Sequence, residues 1–446
     1  MIKKMLALST GLLIVLLATA GGIPMTAPPL EVVDAYRWDE VAPTEPDIGG
    51  RFGRAVETDG EWAMISAPFA NNRIGQLSLF RASNAGRPWD LVKALTLPAD
   101  VSFCLAGARM SLNADWLIAS TGCRPFLYER DRGGSDNWGL WGRLAEPLDV
   151  VDLSRSGASS DVSISGNLLA VGRSETDFVG DPFINGMGEV AIHERDAGGP
   201  DNWGEITVIL PPVMDREGGG FGTRVSLRGE RLLVGAGSFS DGTFTGVGRA
   251  WLFERNLGGP DNWGLRRTFL NPIPSSSGFF GDDVELGDDV AAVAGPAGDL
   301  TPAISNDRAV YVYEQNSDGL DSWGLVDQVL PNPPVAGFGG NIQVEGRLML
   351  VGDGPGSSVS GGAWLYERFG DQWPLRQSFA AADTNEPEPK LFRNLGHSIG
   401  LGVSGTRTVA VIADDTFERT DAGSRIGKAF FFEYEDGLFK DSFESL

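Results

Sequence analysis

The chain has 446 residues, of which 42% are hydrophobic, with 60 acidic against 36 basic side chains and a formal net charge of −24. A charge of that sign argues against nucleic acid and anionic membrane surfaces as partners. The length would allow two or three ordinary domains, but one repeat fills nearly all of it.

Residues 1–20 read as a secretory signal peptide. Lys3 and Lys4 form a basic start, an apolar run follows from Leu6, and Ala18 and Ala20 supply small residues at cleavage spacing. The run is short for a membrane span and no basic stop-transfer group follows it. The expected protein is therefore secreted or periplasmic, with no membrane span once the leader is removed. Residues 21–35 read as a flexible segment. Residues 36–446 read as a single seven-repeat domain.

The clearest repeats are 221–272 and 280–333. Each opens on Phe-Gly, followed by a strand, a tight polar turn and a second strand ending in small residues. A variable loop leads to a third strand ending in aromatic-Glu-Arg. A Gly-Gly-x-Asp-Asn-Trp-Gly turn then leads into a fourth strand. Second-strand cores recur at 62–68, 116–120, 168–172, 232–236, 291–296, 348–352 and 409–413. No segment of useful length has a helical period. A four-stranded unit with two apolar faces cannot bury both alone, and stacking copies around an axis does so. The predicted fold is all-β, a seven-bladed β-propeller of four-stranded antiparallel blades. The stretch 36–41 resembles a spare fourth strand, and a ring closed by it has no free sheet edge. The stretch 438–443 is the competing candidate for that place.

Cys104 and Cys123 flank the hairpin of the second repeat, and folding that hairpin predicts a disulfide just beyond its open end. The recurring Trp89, Trp138, Trp203, Trp263, Trp323 and Trp373 predict packing between blades, with stacking on sugar rings as the alternative. His193 occupies an aromatic strand register. His397 follows Leu395 by two residues, near the register of Arg54 and Arg224. Two His and two paired Cys leave no zinc cluster. The series Glu129, Glu194, Glu254, Glu314, Glu367 and Glu433 repeats once per blade, which marks a blade feature rather than a catalytic set.

These residues resemble the FG-GAP repeat family, best known from the seven-bladed propeller of integrin alpha subunits. The matching motifs are Phe52-Gly53, Phe221-Gly222, Phe280-Gly281 and Phe338-Gly339, with Leu395-Gly396 a close variant. Ser66-Ala67-Pro68, Gly235-Ala236-Gly237 and Ala294-Gly295-Pro296 match the Gly-Ala-Pro element. The resemblance runs from about Phe52 to Glu444. It implies a propeller and, in many members, calcium in an Asp-rich loop between strands one and two. Here that position holds only tight turns such as Thr58-Asp59-Gly60-Glu61, too short to enclose a cation. No metal, cofactor or catalytic residue is assigned.

Function is expected on the variable loops after strand two, at 173–188, 237–248, 297–307, 353–361 and 414–427, because loops vary while strands hold position. The candidate contact residues are Asp177, Phe178, Asp181, Phe183, Asp241, Phe244, Asp299, Asp353 and Asp414. The reading is a monomeric, non-catalytic scaffold that binds an extracellular or periplasmic protein or glycan. The alternative is a secreted carbohydrate-active enzyme using paired Asp or Glu.

Overall fold

A computed structural model describes residues 37–41, 50–82, 89–96, 107–120, 125–144, 161–175, 186–213, 219–298, 308–332, 335–354, 361–380, 394–416, 418–419, 424–425 and 427–435. The leader expected at 1–20 and the competing strand at 438–443 lie outside them. Seven four-stranded antiparallel sheets form the blades of a propeller. Six blades follow the chain order directly; in blade four the strands are Arg224–Arg228, Arg231–Ala236, Arg249–Arg255 and Trp263–Leu270. Blade seven is composite. Its inner strands are Ser398–Ser404, Arg407–Asp414 and Lys428–Glu435, and its outermost strand is Arg37–Val41 from the other end of the chain.

The sequence dictates each strand's place. Strand two lies between two neighbouring blades and is apolar on both sides. In blade four, Leu232 and Val234 join a core with Leu168, Ala170 and Ile192 of blade three. Leu233 points the other way, into a core with Ala291 and Val293 of blade five. Strand four has a solvent face, and Trp263–Leu270 alternates between buried and exposed positions accordingly. A bulge between strands three and four recurs in six blades, as between Leu252 and Phe253. It turns strand four just after the conserved-register tryptophan.

The Phe-Gly pair has a specific cause. Gly222 and Gly281 hold φ of +85° and +82°, a conformation that favours glycine. A Cβ on Gly235, at the end of strand two, would lie 2.3 Å from the carbonyl oxygen of Gly281 in the next blade. Small residues there thus serve the blade interface. The tryptophans serve it too. Trp89, Trp138, Trp203, Trp263, Trp323 and Trp373 are all buried, Trp263 being the most accessible at 8%, so none offers a face to a sugar. The Glu-Arg ending of strand three ties neighbours together. Arg255 reaches back to Glu194 of the preceding blade with bonds of 3.0 and 3.1 Å, and Arg368 pairs in the same sense with Glu314.

One expectation is corrected. No disulfide joins Cys104 and Cys123, which are not near bonding distance. Both lie outside the described residues, and their described flanks give the reason. The hairpin ladder ends at the bond from the Gly107 N–H to the Ser120 oxygen. Strand three resumes at Phe126, opposite Ala119. The expectation extended the hairpin ladder beyond Ser120, whereas strand three already begins at Phe126. Among the described residues, no helix is long and apolar enough to cross a membrane.

Candidate functional site

The first strand of every blade lines the propeller axis, and its alternation builds the site. Val225, Leu227, Val284, Leu286, Ile342 and Val344 turn into the cores between blades. The residues between them have the opposite parity and line a central cavity of about 390 Å³. By register they form three rings. The ring nearest the variable loops holds Arg109, Asp161, Arg224, Asp283, Asn341 and Ser398. The middle ring holds Glu57, Ser111, Ser163, Ser226, Glu285 and Gln343. The third, beside the strand one–two hairpins, holds Asp59, Asn113, Ser165, Arg228 and Glu345.

An innermost strand is a sheet edge with unpaired N–H groups. Here blades three, four, five and seven each supply acceptors to the next. Asp161 Oδ2 accepts from the Val225 N–H at 2.9 Å, Ser163 from Leu227 at 2.9 Å, and Ser226 from Leu286 at 2.9 Å. Asp283 Oδ2 accepts from Ile342 at 2.7 Å, and Ser398 from Val56 at 3.0 Å. Several polar residues of the rings are thus also blade-to-blade ties.

Charge is layered along the axis. In the first ring Arg224 Nε donates to Asp283 Oδ1 at 2.8 Å. Burial pushes the Asp283 carboxyl up to about 6, against the pull of Arg224. Arg109 has no ion-pair partner among the described residues. Burial, and then the charge of Arg224, bring it down to about 10. In the middle ring burial pushes Glu57 up to about 8, with the Asp161 charge adding to it. Glu285 is raised well above the usual range by burial and then by Glu57. Just before the first strand of blade one, Arg51 and Arg54 each stand 3.6 Å from the buried Asp415. The Arg54 guanidinium donates to Nε2 of His397. Burial and then Arg54 hold that imidazole down to about 3, so it accepts as the neutral ring.

A pH dependence follows. A carboxyl held up to about 8 in the folded chain, with an unfolded value of 4.5, binds its proton more tightly when folded. Below the unfolded value both states carry the proton. As pH rises from there to about 8 the unfolded state ionises first and stability falls. Glu57→Gln removes this loss. With solvent access to the cavity taken into account, we expect a gain of about 1–2 kcal/mol at pH 8.5 and close to none at pH 4. Urea denaturation at both pH values measures it, and no gain at pH 8.5 contradicts the placement.

The sequence-predicted contact residues are dispersed. Asp241 is exposed in the blade-four loop, and its Oδ1 caps the Thr243 and Phe244 N–H groups at 2.9 and 2.8 Å. Phe244 packs on the core containing Phe239 and Trp251. Asp353 and Asp414 are buried on blades six and seven. Asp414 accepts from the Thr416 N–H at 2.8 Å and hydroxyl at 2.9 Å. Asp177, Phe178, Asp181, Phe183 and Asp299 lie outside the described residues. In the strand one–two turns, Asp59 and Asn113 are occupied as caps. Asp59 Oδ1 accepts from Glu61 and Trp62, and Asn113 Oδ1 from Asp115 and Trp116. No group of three or more His, Cys, Asp or Glu among the described residues is placed to hold a metal ion.

No family model matches the chain, and no curated protein matches it. It is similar in shape to solved structures at low identity. A protein from Lactobacillus plantarum has a TM-score of 0.47 at 11% identity, covering 83% of this chain and 99% of that one. The periplasmic gluconolactonase PpgL of Pseudomonas aeruginosa has 0.46 at 12%, covering 72% and 82%. The N-terminal domain of Nup159 has 0.45 at 8%, covering 90% and 96%. None of these likenesses carries an argument about activity; the blade topology itself defines the propeller.

Sequence reasoning passed over the ring residues. The signal was present: counting three residues from the Phe of the Phe-Gly pairs at 221, 280 and 338 gives Arg224, Asp283 and Asn341, though the pair at 52 gives Ala55. A charged or polar residue at that position of a β-rich run is unusual unless it faces a wet axis.

Proposed function

We propose that this chain is an exported, monomeric propeller of the FG-GAP kind. In this reading it is a non-catalytic scaffold that binds a protein or glycan through the face bearing the strand two–three loops, around the cavity mouth. The observation that carries this is the inequality of the two faces. On one, the hairpin turns are tight and their side chains cap their own backbone. On the other, the connections vary in length, from 120–125 in blade two to 174–188 in blade three. Shortening 173–188 or 237–248 with the buried Met187, Phe239 and Val247 retained should reduce partner capture in a protein and glycan binding screen, with the melting temperature unchanged within a few degrees. Capture unaffected by either change would overturn the reading. Raising salt should weaken it, since exposed charges are screened.

The second reading, a carbohydrate-active enzyme, is favoured by the raised carboxyls of Glu57, Asp283 and Glu285 in one cavity. It ranks lower because hydrolysis by paired carboxyls needs one ionised group free to act opposite one protonated group. Asp283 is tied to Arg224 and the Ile342 N–H, while Glu57 and Glu285 are both held toward the protonated form.

A further inference from the structure

We propose that the loop-side end of the central cavity is a binding site for a small hydroxylated monocarboxylate, of the chemistry of a uronic acid, with the Arg109 guanidinium as its anchor. This rests on the reading of that face as the binding surface and names what its centre takes.

Arg109 differs from the other ring arginines. Arg224 is paired with Asp283, and Arg228 with Asp288 and Glu345. Arg109 lines the same cavity and has no carboxylate within ion-pair distance among the described residues. Burial first, and then the charges of Arg224 and Arg54, lower its pKa, while Asp161 and Asp283 act from beyond ion-pair distance to hold its charge. A guanidinium that faces a cavity with no carboxylate in direct contact is a ready half of a charge-assisted pair. The space is adequate, since about 390 Å³ falls within the range of roughly 300–1,000 Å³ that small-molecule pockets span.

The surroundings select among anions. Asp161 and Asp283 share the ring with Arg109, and Glu57 and Glu285 stand in the next. A second negative charge would meet those of Asp161 and Asp283, which disfavours phosphate and favours a single carboxylate, while Glu57 and Glu285, held toward the protonated form, face it as neutral groups. Neutral hydrogen-bonding groups complete the wall. Ser111 and Ser163 each accept one backbone N–H, from Ile164 and Leu227, and keep a hydroxyl proton to donate. The Gln343 carboxamide has no hydrogen-bond partner among the described residues. Such a wall matches hydroxyl groups beside the carboxylate.

Calorimetric titration of the intact chain tests this, using D-glucuronate, D-glucose, inorganic phosphate and a short oligosaccharide ending in glucuronate. D-glucuronate should bind in the millimolar range or tighter. Glucose should bind at least about tenfold more weakly, and Arg109→Gln should weaken glucuronate by at least about tenfold. Gln343→Ala should weaken it less. The Arg109→Gln chain should melt within a few degrees of the parent without ligand, because repulsion from Arg224 and Arg54 and attraction to Asp161 and Asp283 are lost together. Binding of the free acid alone, or of the oligosaccharide as well, upholds the site and identifies its source. No binding of either, equal binding by Arg109→Gln, or tighter binding of phosphate overturns it. The ring side chains belong to strands, so glucuronate binding should survive shortening of 237–248. Lost partner capture with glucuronate binding intact separates the two claims. Intact partner capture with no glucuronate binding overturns the cavity site alone.

Discussion

Removing Arg37–Val41 should cost about 3–5 kcal/mol and leave a chain prone to associate. The strand pairs antiparallel with Lys428–Glu435 over five positions, from Arg37 opposite Glu433 to Val41 opposite Ala429. Its loss strips a run of hydrogen bonds worth about 1 kcal/mol each. It also leaves the edge of Lys428–Glu435 open. That strand carries Phe430, Phe431 and Phe432, which pack into the cores on both sides of blade seven. An open edge beside apolar side chains templates association with a second chain. Urea denaturation and light scattering on the shortened chain read both effects. Unchanged stability together with an unchanged oligomeric state would refute closure by this strand.

Asp283→Ala should be comparably damaging, at about 3–5 kcal/mol. One carboxylate answers two donors here, Arg224 Nε and the Ile342 N–H of the next blade. Truncation orphans a backbone N–H and leaves Arg224 unpaired near Arg109. Asp283→Asn keeps an acceptor for Ile342 and should lose less. Adding Arg224→Ala to Asp283→Ala should recover part of the loss, since it removes the stranded charge. If Asp283→Ala melts like the parent, the ring is not a structural tie.

The sequence was most informative where one physical cause repeats in every blade. The run Leu232, Leu233, Val234 reads as a strand buried on both faces because both neighbours press on it. Trp263 and its equivalents read as packing because identical chemistry at a fixed register serves the scaffold. The Cys104–Cys123 expectation failed because it extended a hairpin ladder past Ser120, although strand three begins at Phe126, opposite Ala119. Asp353 and Asp414 looked like loop carboxylates because they follow apolar strands. Both are buried, and Asp414 is engaged with Thr416. The rings were harder to see. Arg109, Asp161, Arg224 and Asp283 lie far apart in sequence, and only ring closure brings their parity onto one axis. Each looks like ordinary surface charge until the first strand is known to be an inner edge.

The most direct test of a binding rather than a catalytic propeller is incubation of the intact chain with a pool of neutral and acidic polysaccharides. Retained glycan and new reducing ends are measured in the same samples. The predicted result is glycan retained on the protein, reduced by shortening 173–188 or 237–248, with no new reducing ends. New reducing ends formed reproducibly by the parent chain, and abolished by Glu57→Gln, would contradict it.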